Sequence, residues 1–158
     1  MLTSLQNFAE SFPEPVQWIA IGLLAAIPFV ESYGGAVIGV ILGLPAVVAI
    51  LVAVIGNAIS MLLFVNSAHA VRARVRKGQE EKKARKYEKL HNAFDKYGIA
   101  GVSLLGQTIL PSQITSAALV SFGAGKQKVI FWQLISIVLW GVLFGILAGL
   151  GIPVLRSL

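Results

Sequence analysis

The sequence predicts an all-α integral membrane protein. Its expected architecture is an inverted repeat of two broken, re-entrant helical hairpins, each followed by a transmembrane helix. Three observations carry this. Of 158 residues, 56% are hydrophobic and only 13% charged, with a mean hydropathy of +0.80; soluble domains carry roughly 25% charged residues. Charge is also confined, since ten of the thirteen Lys/Arg lie between Arg72 and Lys96. The apolar stretches flanking that basic segment are built alike. Each has a segment interrupted by proline and polar residues, a glycine-containing turn, and then a cleaner apolar run.

The elements follow in order within a single membrane domain, 1–158. In "MLTSLQNFAESF", Met1, Leu2, Leu5, Phe8, Ala9 and Phe12 fall on one helical face,. This is the pattern of a short helix lying at a membrane interface over 1–13, ended by Pro13 and Pro15. No Lys or Arg precedes the first apolar run, so the stretch does not read as a secretory signal.

The first half occupies 16–65. As one helix, Val16 to Leu42 would reach about 40 Å, more than the ~30 Å hydrocarbon core. Pro28 interrupts it by removing a backbone donor, and Gly34 and Gly35 are expected to weaken it again. "GLP" at Gly43–Pro45 signals a turn. Ala46–Val65 is then a spanning candidate with Asn57 as its main polar residue. The basic segment 66–98 reads as helical. Glu81 precedes Arg85 by four residues, and Ala84, Tyr87, Leu90, Phe94 and Tyr97 form one apolar stripe, with Gly78 a point of division.

The second half, 99–155, repeats the plan. Ile99–Phe122 is broken around Pro111, where Gln107, Thr108, Ser112, Gln113, Thr115 and Ser116 crowd together. "GAGKQK" makes the turn. Val129–Ile152 is a second span, with Gly141, Gly145 and Gly149 at the four-residue spacing that lets helices approach closely in lipid. Pro28 and Pro111 lie 83 positions apart, and Gly56 and Gly141 lie 85 apart. Corresponding breaks in two halves point to a transporter binding site.

Two topologies follow. If all four apolar segments span, Lys126 and Lys128 lie opposite the basic segment. If the broken segments are re-entrant, both lysines share its side, and the positive-inside rule makes that side cytoplasmic. Proline breaks favour the second arrangement, because non-helical backbone at membrane depth is tolerated only under protein or beside a water-filled cavity.

The chemistry-bearing residues are few. With no cysteine, there is no disulfide and no thiolate metal site. His69 and His91 lack ligand-like companions, so no metal is expected. No nucleophile–base pair is evident, and neither an enzyme nor a cofactor is expected. The charge cluster lacks a nucleic-acid motif. Arg72, Arg74, Arg76 and Lys77 suit anionic lipid headgroups better than nucleic acid, and a solvated cytoplasmic helix that sets orientation is the stronger reading of the segment. Glu31 is the only acid between Glu14 and Glu80. An acid inside a membrane is a functional candidate by default; capping of a half-helix is its other reading. Asn57, Gln107, Ser112, Gln113, Thr115 and Ser116 are the further substrate- or ion-binding candidates. Interhelical hydrogen bonding and capping are their plainer roles. Trp18, Trp132 and Trp140 suit interface anchoring or packing.

The chain resembles the small multidrug export family of bacterial membrane proteins, related to the DedA (VTT-domain) superfamily. The resemblance covers about residues 20–152. It rests on "ESYGGAVIG" (31–39), "VIGNAIS" (54–60), "DKYGIAGVSLL" (95–105) and "TILPSQITSAAL" (108–119). It implies re-entrant helices facing each other at mid-membrane, proton- or ion-linked transport, and a bacterial inner-membrane location. Relatives carry an arginine where this chain has Tyr33. DedA proteins carry one just after the second proline, where this chain has Ser112, Gln113 and Ile114. Arginine is the natural phosphate clamp, so a neutral or cationic substrate stays open beside a lipid phosphate.

The function expected is a small transporter-like protein, proton-coupled, moving a small amphipathic or lipid-like substrate through a polar mid-membrane pocket. Membrane lipids are its expected partners, with a homo-oligomer or a membrane-complex subunit as further associations. Two alternatives stand beside it. One is a non-transporting accessory or scaffold subunit, with the basic helix and the Gly141/Gly145/Gly149 face as partner surfaces. The other is a four-span carrier of the small multidrug-resistance type.

The topology is testable because the chain has no native cysteine. In Gln127→Cys, an impermeant thiol reagent applied to intact cells is expected to label from the same side as a cysteine placed in the basic segment. Labelling from the opposite side would mean that the second broken segment spans.

Overall fold

The computed structural model describes residues 2–74, 88–107 and 109–156, with side chains over 3–70, 96–107 and 109–151. The regular structure among the described residues is helical, without a strand. Helix α1 (Leu2–Glu10) is followed by a 3-10 turn, Glu14–Val16, after Pro13. Then come α2 (Gln17–Ala25), α3 (Glu31–Ile41), α4 (Ala46–Arg74), α5 (Glu88–Gly106), α6 (Ser112–Phe122) and α7 (Lys126–Arg156). The expected stripe residues Ala84 and Tyr87, the Glu81–Arg85 pair and Gly78 lie outside the described residues. The boundary expected at Gly98 is a kink in α5, where Gly98 takes φ 67 and ψ −173, a conformation essentially reserved for glycine,.

Two helices are long and apolar enough to cross a membrane, Ala46–Ala70 in α4 and Lys126–Gly151 in α7. At ~1.5 Å per residue each exceeds the ~30 Å hydrocarbon core. The expected end of the first span at Val65 is not a helix end. Asn66 donates from its side-chain amide to the Leu62 carbonyl one turn back at 2.8 Å, and the helix runs on to Arg74. The broken segments behave differently. Helix α2 has nine residues and α3 eleven, about 14 and 17 Å, and residues 26–30 around Pro28 separate them. Gly34 and Gly35, expected as part of the break, lie inside α3 instead. Glycine weakens a helix only where nothing compensates. Here a methyl group on Gly35 would stand 2.7 Å from Ala25 Cβ and 3.1 Å from Ala53 Cβ, so its missing side chain admits two neighbouring helices.

The chain forms two compact units that are not consecutive stretches. One is Met1–Ile59 with Ile137–Leu158; the other is Ser60–Ser136. In the first unit, Gly35 faces Ala25 and Gly39 faces Ile21, so α2 and α3 form an antiparallel hairpin. Gly39 also meets Ala49, and Gly35 meets Ala53, which runs α4 antiparallel to α3. Gly56 lies against the Gly22 carbonyl, a backbone-to-backbone approach between α4 and α2. The later part of α7 runs antiparallel to α4: Gly141 meets Val54, Gly145 meets Ile50 and Gly149 meets Ala46. The Gly141/Gly145/Gly149 stripe is therefore used inside this unit, not as the partner surface the scaffold alternative requires. Helix α1 packs here through buried Ala9, with Leu5 and Phe12 alongside.

In the second unit, α5 after Gly98 and α6 form a shorter hairpin. Leu110 N–H donates to the Gly106 carbonyl at 2.8 Å, and a methyl on Gly106 would stand 3.3 Å from Thr115 Cγ2. Pro111 (φ −54, ψ 145) opens α6 as expected of a proline that continues no helix before it,.

Both short helices end identically. Leu44 N–H donates to Gly39 and Gly43 N–H to Val40; Ala124 N–H donates to Leu119 and Gly123 N–H to Val120. Each is a Schellman cap closed by a left-handed glycine, Gly43 at φ 90 and Gly123 at φ 108,. Buried positions recur at the same interval of 80. In α3, residues 32, 35, 36, 38, 39 and 40 match 112, 115, 116, 118, 119 and 120 in α6. Ala49, Ala53, Asn57, Met61 and Val65 in α4 match Val129, Gln133, Ile137, Gly141 and Gly145 in α7. On this register Gly56 matches Ser136, not the Gly141 that sequence identity alone suggests.

The outer faces are apolar. Val47, Leu51, Ile55, Ile59 and Leu63 line α4, and Leu139, Leu143, Ile146 and Leu150 line α7, all exposed.

The close approach at Gly56 is expected to be intolerant. Gly56→Ala should destabilise the protein by about 1–3 kcal/mol through overpacking against backbone. Gly125→Ala, with nothing within 4 Å, should stay within about 0.5 kcal/mol. Thermal unfolding in detergent compares them; equal stability of the two variants would refute the approach.

Candidate functional site

Apolar residues on the outside are matched by polar residues inside. Twelve polar side chains are buried among those described, and every expected binding candidate is one of them: Glu31, Asn57, Gln107, Ser112, Gln113, Thr115 and Ser116. The structure divides these seven. Glu31 and Asn57 belong to the first unit, and the other five to the second.

In the first unit, the break after α2 delivers Glu31 to the first position of α3. It is 1% exposed, and is the only acid or base buried among the described side chains. Its backbone sits at φ 56, and Phe29 two residues earlier at φ 74. Non-glycine residues avoid this left-handed region, at a cost of about 1–3 kcal/mol each. Strain of this kind marks a position that packing has overdetermined. Beside it, Ser32 donates from its hydroxyl to the Ile137 carbonyl at 2.8 Å, tying α3 to α7. Tyr33, where relatives of the resembled family carry arginine, donates to the Phe29 carbonyl at 3.3 Å. Its ring lies 5.6 Å from that of Phe144. Asn57 is fully buried on α4.

In the second unit, the break at 107–111 and the start of α6 gather the remainder. Ser136 on α7 donates a short hydrogen bond to Gln107 Oε1. Gln113 Nε2 donates to Ser60 Oγ on α4 at 3.4 Å, and Ser112 donates to Gln113 Oε1 at 3.4 Å. Thr115 donates to the Leu110 carbonyl at 3.4 Å and Ser116 to the Gln113 carbonyl at 3.1 Å. The last two are local bonds of the plainer, helix-stabilising kind. The Gln107–Ser136 and Gln113–Ser60 bonds instead join elements distant in sequence, and bonds within an apolar interior exclude competing water.

Sequence reading missed Ser32, Ser60, Ser103, Gln133 and Ser136, all buried here. The signal was spacing. Ser103 precedes Gln107 by four residues and Gln133 precedes Ser136 by three, so each pair shares a helix face. Pro28 and Pro111 stand at the two breaks as expected. Of the residues assigned to lipid contact, Arg72 and Arg74 lie on α4 with side chains outside the described set, and Arg76 and Lys77 lie outside the described residues altogether.

No protein-family model matches the chain, and no curated protein or solved structure matches it.

The Ser136–Gln107 bond is expected to be energetically coupled. Ser136→Ala should cost about 1–3 kcal/mol by removing the buried hydroxyl donor to the Gln107 oxygen, whereas replacing both partners with apolar residues should cost less than the two single changes together. A thermal-unfolding cycle over Ser136→Ala, Gln107→Leu and the double variant measures this; strict additivity would show that the two side chains do not interact.

Proposed function

We propose that the chain is a small polytopic membrane transporter in which the two helical hairpins are re-entrant and Glu31 carries the coupled proton. The observation that carries this reading is the inversion of polarity. Leu, Ile and Val cover the outer faces of α4 and α7, while Glu31, Asn57 and the Ser/Thr/Gln groups are buried. Such a surface suits hydrocarbon as its solvent, and polar residues held inside it suit a solute path rather than a hydrophobic core.

The short helices support re-entrance. At about 14 and 17 Å, α2 and α3 each reach roughly halfway through a bilayer, and they fold back on each other. This gives the four-span alternative little support. The matched Schellman caps and the 80-residue burial interval support an internal repeat, which the proposal takes as inverted. The resemblance to small multidrug export proteins points the same way. On this reading the basic segment 66–98 and the Lys126/Lys128 turn share the cytoplasmic side of a bacterial inner membrane. Anionic lipid meets the basic segment, and so small a unit works as a homo-oligomer.

Glu31 fits a proton role chemically. A carboxyl group can take up and release a proton, which the carboxamides and hydroxyls of the second unit do not do. A strained, buried acid at a helical break is poised to exchange its proton when the break moves.

Reconstituted vesicles loaded with a pH-sensitive dye test this. An outside-acid pulse is expected to acidify the interior faster with the wild-type protein than with Glu31→Gln, which should fall to the rate of protein-free vesicles. Equal rates for the two proteins would remove the carrier role.

A further inference from the structure

The hydrogen bonds of the second unit leave Gln133 unexplained. Its side chain is fully buried, and neither its carboxamide N–H group nor its oxygen meets a hydrogen-bond partner among the described residues. Ser103, equally buried, leaves its hydroxyl in the same condition. Desolvating a carboxamide with nothing in exchange is costly, and an apolar residue of similar size would avoid that cost.

Both residues lie within about one helical turn of the Ser136–Gln107 bond, Ser103 before Gln107 on α5 and Gln133 before Ser136 on α7,. The repeated register places them further. At the interval of 80, Gln133 matches Ala53, Ser136 matches Gly56 and Thr115 matches Gly35. Gly106 faces Thr115 as Ala25 faces Gly35, an interval of 81 that matches Ser103 with Gly22. In the first unit, Gly22, Gly35, Ala53 and Gly56 form its tightest seam: backbone meets backbone at Gly22 and Gly56, and Gly35 admits the Ala53 methyl. The second unit carries hydroxyl, hydroxyl, carboxamide and hydroxyl at the same four places. One unit closes the seam with hydrogens and a methyl, and the other lines it with hydrogen-bonding groups.

We propose that this seam of the second unit binds a small uncharged solute with adjoining donor and acceptor, an amide-type ligand held by the Gln133 carboxamide with Ser103 beside it. The surroundings select against charge. Every polar side chain buried among those described in this unit is Ser, Thr or Gln, and an ion in a low-dielectric site requires a counter-charge. A carboxamide presents donor and acceptor in one plane, and a second carboxamide satisfies both at once. This names a substrate class for the proposed transporter and rests on that reading for the transport step; the binding step rests on Gln133 and Ser103.

Acetamide, acetate and acetamidinium share a shape and differ in charge, which makes them suitable probes. The protein in lipid nanodiscs, 15N-labelled at glutamine side chains, reports on Gln133 through the signal lost in Gln133→Leu. Acetamide is expected to shift that signal saturably, and acetate and acetamidinium to leave it in place. Gln133→Leu should unfold at a higher temperature than the wild type, because the apolar side chain needs no partner. Ser103→Ala should keep the fold and weaken acetamide binding about tenfold.

An absent or unsaturable shift, an equal response to the charged probes, a contact to ordered water only, or a lower unfolding temperature for Gln133→Leu would each overturn the proposal. The two readings fail separately. Acetamide binding without acetamide flux into vesicles would remove transport and keep the site. Proton flux lost in Glu31→Gln, with no acetamide binding, would keep transport and remove the site.

Discussion

The close approach of α4 to the α2–α3 hairpin is the contact on which the first unit depends. Gly22 and Gly56 bring two backbones together, and Gly35 and Gly39 admit Ala53 and Ala49. Small residues on both sides replace large interlocking side chains. Close approach of backbones in this way gains contact area that large side chains would prevent. In the turn of the α2–α3 hairpin Phe29 and Glu31 adopt the left-handed backbone conformation, and the break places the one acid buried among the described side chains at the start of α3.

The second unit repeats the register and changes the chemistry. Ser103, Thr115, Gln133 and Ser136 stand where the first unit has glycine and alanine. Its helices are joined by Ser136 to Gln107 and by Gln113 to Ser60. The two units thus differ in chemistry at positions related by the interval of 80. One is tightly packed and carries an acid at its break, and the other is neutral and polar.

The glycine stripe of α7 illustrates how a correct sequence signal can be assigned to the wrong surface. Gly141, Gly145 and Gly149 predicted close helix contact, and close contact is what they make. The partner is α4 of the same chain, through Val54, Ile50 and Ala46, so the stripe leaves no small-residue face for an outside subunit. Gly34 and Gly35 were misjudged for a related reason. Propensity treats glycine as a weakness of the helix, whereas packing uses the missing side chain of Gly35 as space.

By itself the sequence determined the apolar helical character, the two breaks at Pro28 and Pro111, the turns at Gly43–Pro45 and Gly123–Gly125, and the boundary at Gly98. These are local consequences of proline geometry and glycine conformational freedom, so they are legible along the chain. The tertiary structure alone decided that α4 and α7 each contribute residues to both compact units, that buried positions recur at an interval of 80, and that Gln133, Ser103 and Ser136 are buried. A glutamine in a long apolar helix looks the same in sequence whether it faces the surroundings, a partner or a core. Only the positions of the helices packed around it determine which groups it can reach, and for Gln133 they supply no partner among the described residues.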